Sequence, residues 1–179
     1  RDTDRSRGLG DVYKRQGDYS AIFNYAMKVS PVDESNLNQS LIIVTPNTID
    51  YGGITEMWED GSTIAFCPLS EDTYPYDARG IIQHEAGGHG FGKLGDEYIY
   101  HNGFIEFCCP LDFATLNHGK SLGWYENLSL TGKMHEVPWS HLIFDDRYSD
   151  VVDIYEGGFK HARGVFRSEQ NSCMNNNIS

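Results

Sequence analysis

Two histidines five residues apart constrain this chain more than any other feature of it. They stand in HEAGGHGFGKLGDEY, residues 84–98, with Glu85 directly after the first and glycine at 87, 88, 90, 92 and 95. In the HExxH spacing, four residues on a helix of 3.6 per turn return to the same face. Two imidazoles then share one metal ion, and the glutamate between them reaches a water. Five residues advance about 500°, which leaves His84 and His89 about 140° apart on a regular α-helix. A helix that brings both to one ion must therefore widen, and a single π-type turn with i→i+5 bonding does so. Ala86-Gly87-Gly88 suits such a turn because small residues add no side-chain crowding. The expectation is one metal, faced by His84 and His89 across a widened turn at these three residues.

The segment after His89 supplies a third ligand. Gly90, Gly92 and Gly95 stop the helix and let the chain reverse, which returns Asp96 or Glu97 toward the metal. In the pattern HExxHxxGxxH or D, a glycine three residues after the second histidine permits this reversal and the third ligand sits six after it. Gly92 keeps the first spacing, but position six is Gly95, so Asp96 at position seven is the nearest candidate. Glu97 is the fallback, and its pairing with His101 at i, i+4 is a third possibility.

Around this segment the chain reads as α+β. Tyr19, Ile22, Phe23, Ala26 and Met27 recur at helical spacing, which predicts a helix near 18–29 ended by Ser30-Pro31. Leu41-Ile42-Ile43-Val44 has the pattern of a strand buried on both faces. Residues 53–58 and 62–67 are strand-like runs around Glu59-Asp60-Gly61, a hairpin with a tight turn. Ala78, Ile81, Ile82, Glu85 and Ala86 favour a helix that carries the histidines. Beyond residue 100 the chain reads as loops and aromatics.

The first 16 residues differ in kind: charge-dense, with Leu9, Val12 and Tyr13 as their large apolar residues and no period to them. They resemble translated sequencing-adapter read-through at the end of a gene fragment, so the expected domain is 17–179, cut short at its C-terminal end. Without their five basic and three acidic residues the net charge moves from −12 to −14. Acidity of this size speaks against nucleic acid or an anionic membrane surface as partner. No apolar run approaches the roughly 20 residues needed to cross a bilayer, and 39% hydrophobic with 13% aromatic content argues for a folded domain.

The separated motifs HEAGGHGFGKLGDEYIYHNGFI, KSLGWYENLSLTGK, PWSHLIF, YEGG and RSEQNSCMNNN, in this order, resemble the immunoglobulin-A-peptidase-type zinc metallopeptidases of gut bacteria, in the branch with the lengthened HEAGGH. The resemblance covers residues 17–179. It implies a metzincin-like catalytic domain: a mixed twisted sheet with an antiparallel edge strand, an active-site helix, and a loop-rich C-terminal part. It also implies zinc, His84 and His89 as ligands, Glu85 as general base, and Asn171-Ser172-Cys173-Met174 as the Met-turn beneath the metal. By spacing alone Met174 is a core methionine. A secreted, cell-surface or periplasmic location goes with the resemblance, and cleavage of IgA itself does not follow from it.

The expected chemistry is zinc-assisted hydrolysis of peptide bonds in extracellular or host proteins, with the 53–58 strand pairing an extended substrate. Two alternatives stand beside it: an idle peptidase-fold module that binds glycan or host protein, and a zinc amidohydrolase acting on small amides. Trp58, Trp124 and Trp139 are expected as core or cleft wall, and Arg167 as a structural ion-pair partner. Asn127-Leu128-Ser129 matches a glycosylation sequon too short to carry weight. Adjacent Cys108 and Cys109 cannot easily pair with each other, so any bridge would run to Cys67 or Cys173. No CxxC or Cys/His spacing marks a second zinc site.

Overall fold

The computed structural model describes residues 17–100 and 109–178. The chain divides into two compact units whose boundary in sequence lies between Ala86 and Gly87. That boundary falls inside a helix, where no linker composition can mark it. His101 and Cys108 lie outside the described residues, as do residues 1–16.

The first unit is built on a mixed three-stranded sheet. Helix α1 (Tyr19–Ala26) comes first, its N-terminal amides capped by Asp18, whose carboxylate accepts from the N–H of Ala21 at 3.0 Å. Strands β1 (Leu41–Val44), β2 (Ile54–Met57) and β3 (Thr63–Phe66) come next, in the spatial order β1-β3-β2. β1 runs parallel to β3 with Leu41 opposite Thr63, and β2 runs antiparallel with Met57 opposite Thr63. The expected hairpin is therefore present, with an antiparallel strand at one edge. Its turn closes through the Gly61 N–H to the Trp58 carbonyl at 2.9 Å, and Gly61 has φ +99°, a conformation that favours glycine.

Burial within this sheet differs from the sequence expectation. β1 is not covered on both faces: Ile43 is 46% exposed. β3 is the strand that lies at the centre and is buried along its whole length. Position in the sheet, and not apolar content, decides this, because β1 has a neighbour on one side only among the described residues. Ala65 and Cys67 pack with Ile81 of helix α2 (Ala78–Ile82) and with Ala86, while Tyr19 and Phe23 of α1 set their rings edge-on to Trp58. Trp58 is thus a packing residue.

The second unit corrects the reading of the C-terminal part as mainly loops. Helix α3 (Pro110–Ser121) is twelve residues long, with Pro110 in its first turn and the Cys109 sulfur as N-cap. An antiparallel sheet comes after it, in the order β4-β6-β5, made from β4 (Leu128–Ser129), β5 (Tyr155–Gly158) and β6 (His161–Arg167). Its strands escape a reading of the sequence because glycine and charged residues interrupt their alternation. β5 carries a bulge at Gly157, with φ +110° there and +154° at Gly158.

Leu116 of α3, Leu128 of β4 and Val165 of β6 form one core of this unit, joined by Tyr125 and Phe159. Val137, Trp139 and Val152 form another, beside the short helix α4 (Ser140–Ile143), and the Trp139 indole donates to the Asp153 carbonyl at 2.9 Å. Arg167 donates to the carbonyls of Glu156, Gly157 and Glu169, so it ties backbone together. Burial lowers the pKa of its guanidinium, with Glu97 acting in the opposite direction. The last helix, α5 (Cys173–Asn176), carries the buried Met174.

Candidate metal centre

The segment from Gln83 to Phe91 is a π-helix, entered directly from α2. The widened winding expected at Ala86-Gly87-Gly88 is present and runs through nine residues. Its i→i+5 bonding is seen in the Gly92 N–H, which donates to the Gly87 carbonyl at 2.9 Å, and the Leu94 N–H then reaches back to Gly88 at 3.0 Å. The extension has a physical reason: besides the three small residues at the predicted turn, Gly90 and Gly92 leave the winding free of side-chain pressure at its C-terminal end.

Along this helix and the turn after it, His84, His89 and Asp96 each offer one ligand atom, and the three atoms lie within 4.8 Å of one another. His84 is buried, and the side chains of His89 and Asp96 are 15% and 14% exposed. The segment is continuous and local, thirteen residues from the first ligand to the last. This group could hold a metal ion.

The hydrogen bonds around His89 fit that reading. Its Nδ1 lies 2.7 Å from the Leu94 carbonyl, an acceptor only, so Nδ1 carries the proton. Nε2 is left for the group, and it stands 3.2 Å from Oδ1 of Asp96. A ring nitrogen and a carboxylate oxygen at this distance are joined by a proton or by a shared metal ion. A metal-ligating histidine whose other nitrogen donates to a backbone carbonyl is the usual outer-shell arrangement. Asp96 is oriented in turn, its Oδ2 accepting from the Tyr98 hydroxyl at 2.7 Å and its carbonyl from the Phe159 N–H at 2.8 Å.

Asp96 is also held by its two neighbours. The Asn127 side chain brackets Gly95, accepting from its N–H and donating to its carbonyl, both at 2.8 Å, and donates to Oε1 of Glu97 at 2.9 Å. Glu97, the fallback ligand, is turned away from the group. Oε2 accepts from the Ser172 hydroxyl at 2.6 Å, and the Glu97 N–H donates to the Met174 carbonyl at 2.9 Å. Burial raises the pKa of its carboxyl, against the lowering effect of the hydrogen bonds from Ser172 and Asn127. The alternative that paired Glu97 with His101 lies outside the described residues.

Glu85 comes directly after the first histidine and is 5% exposed. The Thr55 hydroxyl of β2 lies 2.8 Å from its Oε2 and 2.9 Å from its backbone oxygen, placed to donate to either. Gly53 stands so close that a Cβ on it would come within 2.4 Å of the Glu85 Cγ, so only glycine leaves this rotamer room. Burial, and then the charge of Glu85, push the Cys67 thiol up to about 12. No disulfide joins Cys67, Cys109 and Cys173 to one another.

Sequence reasoning gave no role to the Thr55 hydroxyl, to Tyr98 or to the Asn127 amide, and it named Ser172 only as part of the Met-turn. Asn127 was singled out as a sequon, and in the structure its amide bonds Gly95 and Glu97. No protein-family model matches this chain, and no curated protein matches it either.

Proposed function

We propose that this chain is a zinc-dependent endopeptidase acting on extended segments of extracellular or host proteins. The observation that carries the reading is the convergence of His84, His89 and Asp96 along a π-helix and the turn after it, with Glu85 between the two histidines. Two imidazoles, one carboxylate and a fourth position left for water or substrate make the donor set of a catalytic zinc. The resemblance of the separated motifs to immunoglobulin-A-peptidase-type metallopeptidases supports the same reading, as does Met174 packed against the ligand helix.

A zinc ion held there supplies Lewis acidity toward a carbonyl oxygen and makes a neighbouring water acidic near neutral pH. The chain's own residues do the rest. Glu85 accepts the proton of the attacking water and passes it to the leaving amine, and Thr55 fixes the carboxylate through Oε2 so that one oxygen remains for that work. Leu94 holds the His89 tautomer, and Asn127 holds the turn that presents Asp96. β2 lies at the edge of its sheet among the described residues, and an extended peptide pairs with such an edge through its backbone.

Metal analysis of the purified chain, together with digestion of an unbiased peptide library, tests this. Zinc bound with cleavage that chelator abolishes supports the peptidase. Zinc bound with no peptide cleaved moves the chain to a binding module, and cleavage confined to small amides moves it to an amidohydrolase.

A further inference from the structure

The described residues hold a second convergence of metal-ligating side chains, in the second unit. Cys109, Asp112 and His161 each offer one ligand atom, and these lie within 4.8 Å of one another. Cys109 caps α3, and its sulfur accepts from the N–H of Asp112 at 3.5 Å, so cap geometry already aims the thiol along the first turn. His161, the first residue of β6, places Nε2 2.8 Å from Oδ2 of Asp112.

The imidazole is what makes this more than a helix terminus. His161 is fully buried at 0% exposure, and its Nδ1 has no hydrogen-bond partner among the described residues. Nε2 is the ring nitrogen on the Asp112 side, and it brings a buried imidazole to the point where the carboxylate and the thiol already stand.

We infer that the Cys109 sulfur, the Asp112 carboxylate and His161 Nε2 form a second metal site, for zinc or another borderline-soft divalent cation, with a fourth position open. A thiolate with an imidazole selects such ions over magnesium and calcium, which take oxygen ligands. Ligand atoms around a tetrahedral ion with bonds of about 2.0 to 2.3 Å stand roughly 3.3 to 3.8 Å apart, so the Asp112–His161 pair opens by about half an ångström to admit it. The bound ion staples the start of α3 to β6, residues 49 positions apart, which is why no local Cys/His spacing announces the site. The site is independent of the peptidase reading.

Cobalt substitution of the full chain tests it, because of the two ligand groups only this one contains sulfur. A thiolate ligand gives a sulfur-to-cobalt charge-transfer band in the near ultraviolet, which His84, His89 and Asp96 cannot produce. The expected result is that band in the wild type, its loss together with one cobalt per chain in Cys109→Ser, and its persistence in His84→Ala. Cys109 is at the surface, so its serine variant spares the core that a substitution of buried His161 would disturb. Asp112→Asn, also accessible, should weaken cobalt binding at this site by about 10 to 100-fold while the band survives at saturation. A wild type without the band, or a band unchanged in Cys109→Ser, overturns the site. Absence of peptidase activity leaves the band untouched, so the two readings fail separately.

Discussion

Gly88 rests directly on the sulfur of Met174: a Cβ built on the glycine would come within 2.0 Å of Sδ. Met174 is 1% exposed and cannot swing into solvent, so the glycine between the two histidines and the methionine of α5 occupy one close contact. Gly88→Ala should therefore cost stability through overpacking, about 1 to 3 kcal/mol, although alanine is the better helix former. Met174→Ala makes room for the added methyl, and the double variant should recover part of the loss. Thermal denaturation of the two single variants and the double reads the coupling, expected at about 0.5 to 3 kcal/mol. Strict additivity would mean that the contact carries no energy.

Glu85→Gln should keep metal and fold and lose most hydrolysis, about 10² to 10⁴-fold, because glutamine keeps the shape and cannot take a proton. Thr55→Val removes the hydroxyl that lies 2.8 Å from Oε2, and a decline of about tenfold is expected from one lost hydrogen bond to a charged group. Gly53→Ala should do more than Thr55→Val, since its methyl meets the Glu85 side chain and must displace it. Rates on one cleaved library peptide, with zinc content measured on the same samples, check the order. Near wild-type turnover in Glu85→Gln would remove the residue from the chemistry.

Cys67 offers a test by thiol reactivity. Its thiol is held protonated up to about 12, chiefly by burial and then by the charge of Glu85, whereas an ordinary cysteine titrates at about 8.5. The folded state binds this proton more tightly than the unfolded one. Its contribution to stability is thus whole below the unfolded value and is lost as the pH climbs from there toward about 12. At pH 8.5 alkylation of Cys67 should await unfolding, and peptide mapping by mass spectrometry should find it unmodified in native protein. Labelling at the rate of the surface residue Cys109 would contradict its burial.

The winding of the ligand helix was legible in the sequence because it is a counting argument. Two histidines five apart with small residues between them leave one way to share an ion, and that way does not depend on distant chain. The β2–β3 hairpin was legible for the same local reason. The burial of β1 and β3 was not, because it depends on which strand lies between the others. Nor was the bracket around Asp96, since Asn127 reaches Gly95 across 32 residues of sequence and nothing in its neighbours announces the pairing. The same holds for His161, a lone histidine at the start of a strand whose partners are on α3.

Asp96 and Glu97 are adjacent carboxylates with opposite fates, and separating them tests the centre most sharply. Asp96 offers an oxygen to the group with His84 and His89, whereas Glu97 is 2% exposed and accepts from Asn127 and Ser172. Asp96→Ala removes one of the three side chains that could hold the metal and should leave the chain unable to compete with a moderate chelator. Glu97→Gln keeps the size of the side chain and the backbone bond to the Met174 carbonyl, so it should loosen zinc by about 10 to 100-fold only, through weakened side-chain bonds from Ser172 and Asn127. Ser172→Ala removes one donor to the same carboxylate and should fall in the same direction with a smaller effect. Competitive titration with a chromophoric chelator ranks the three variants on one scale. If Glu97→Gln strips the metal while Asp96→Ala retains it, the third ligand is Glu97 and the turn at Gly95 must present the other carboxylate.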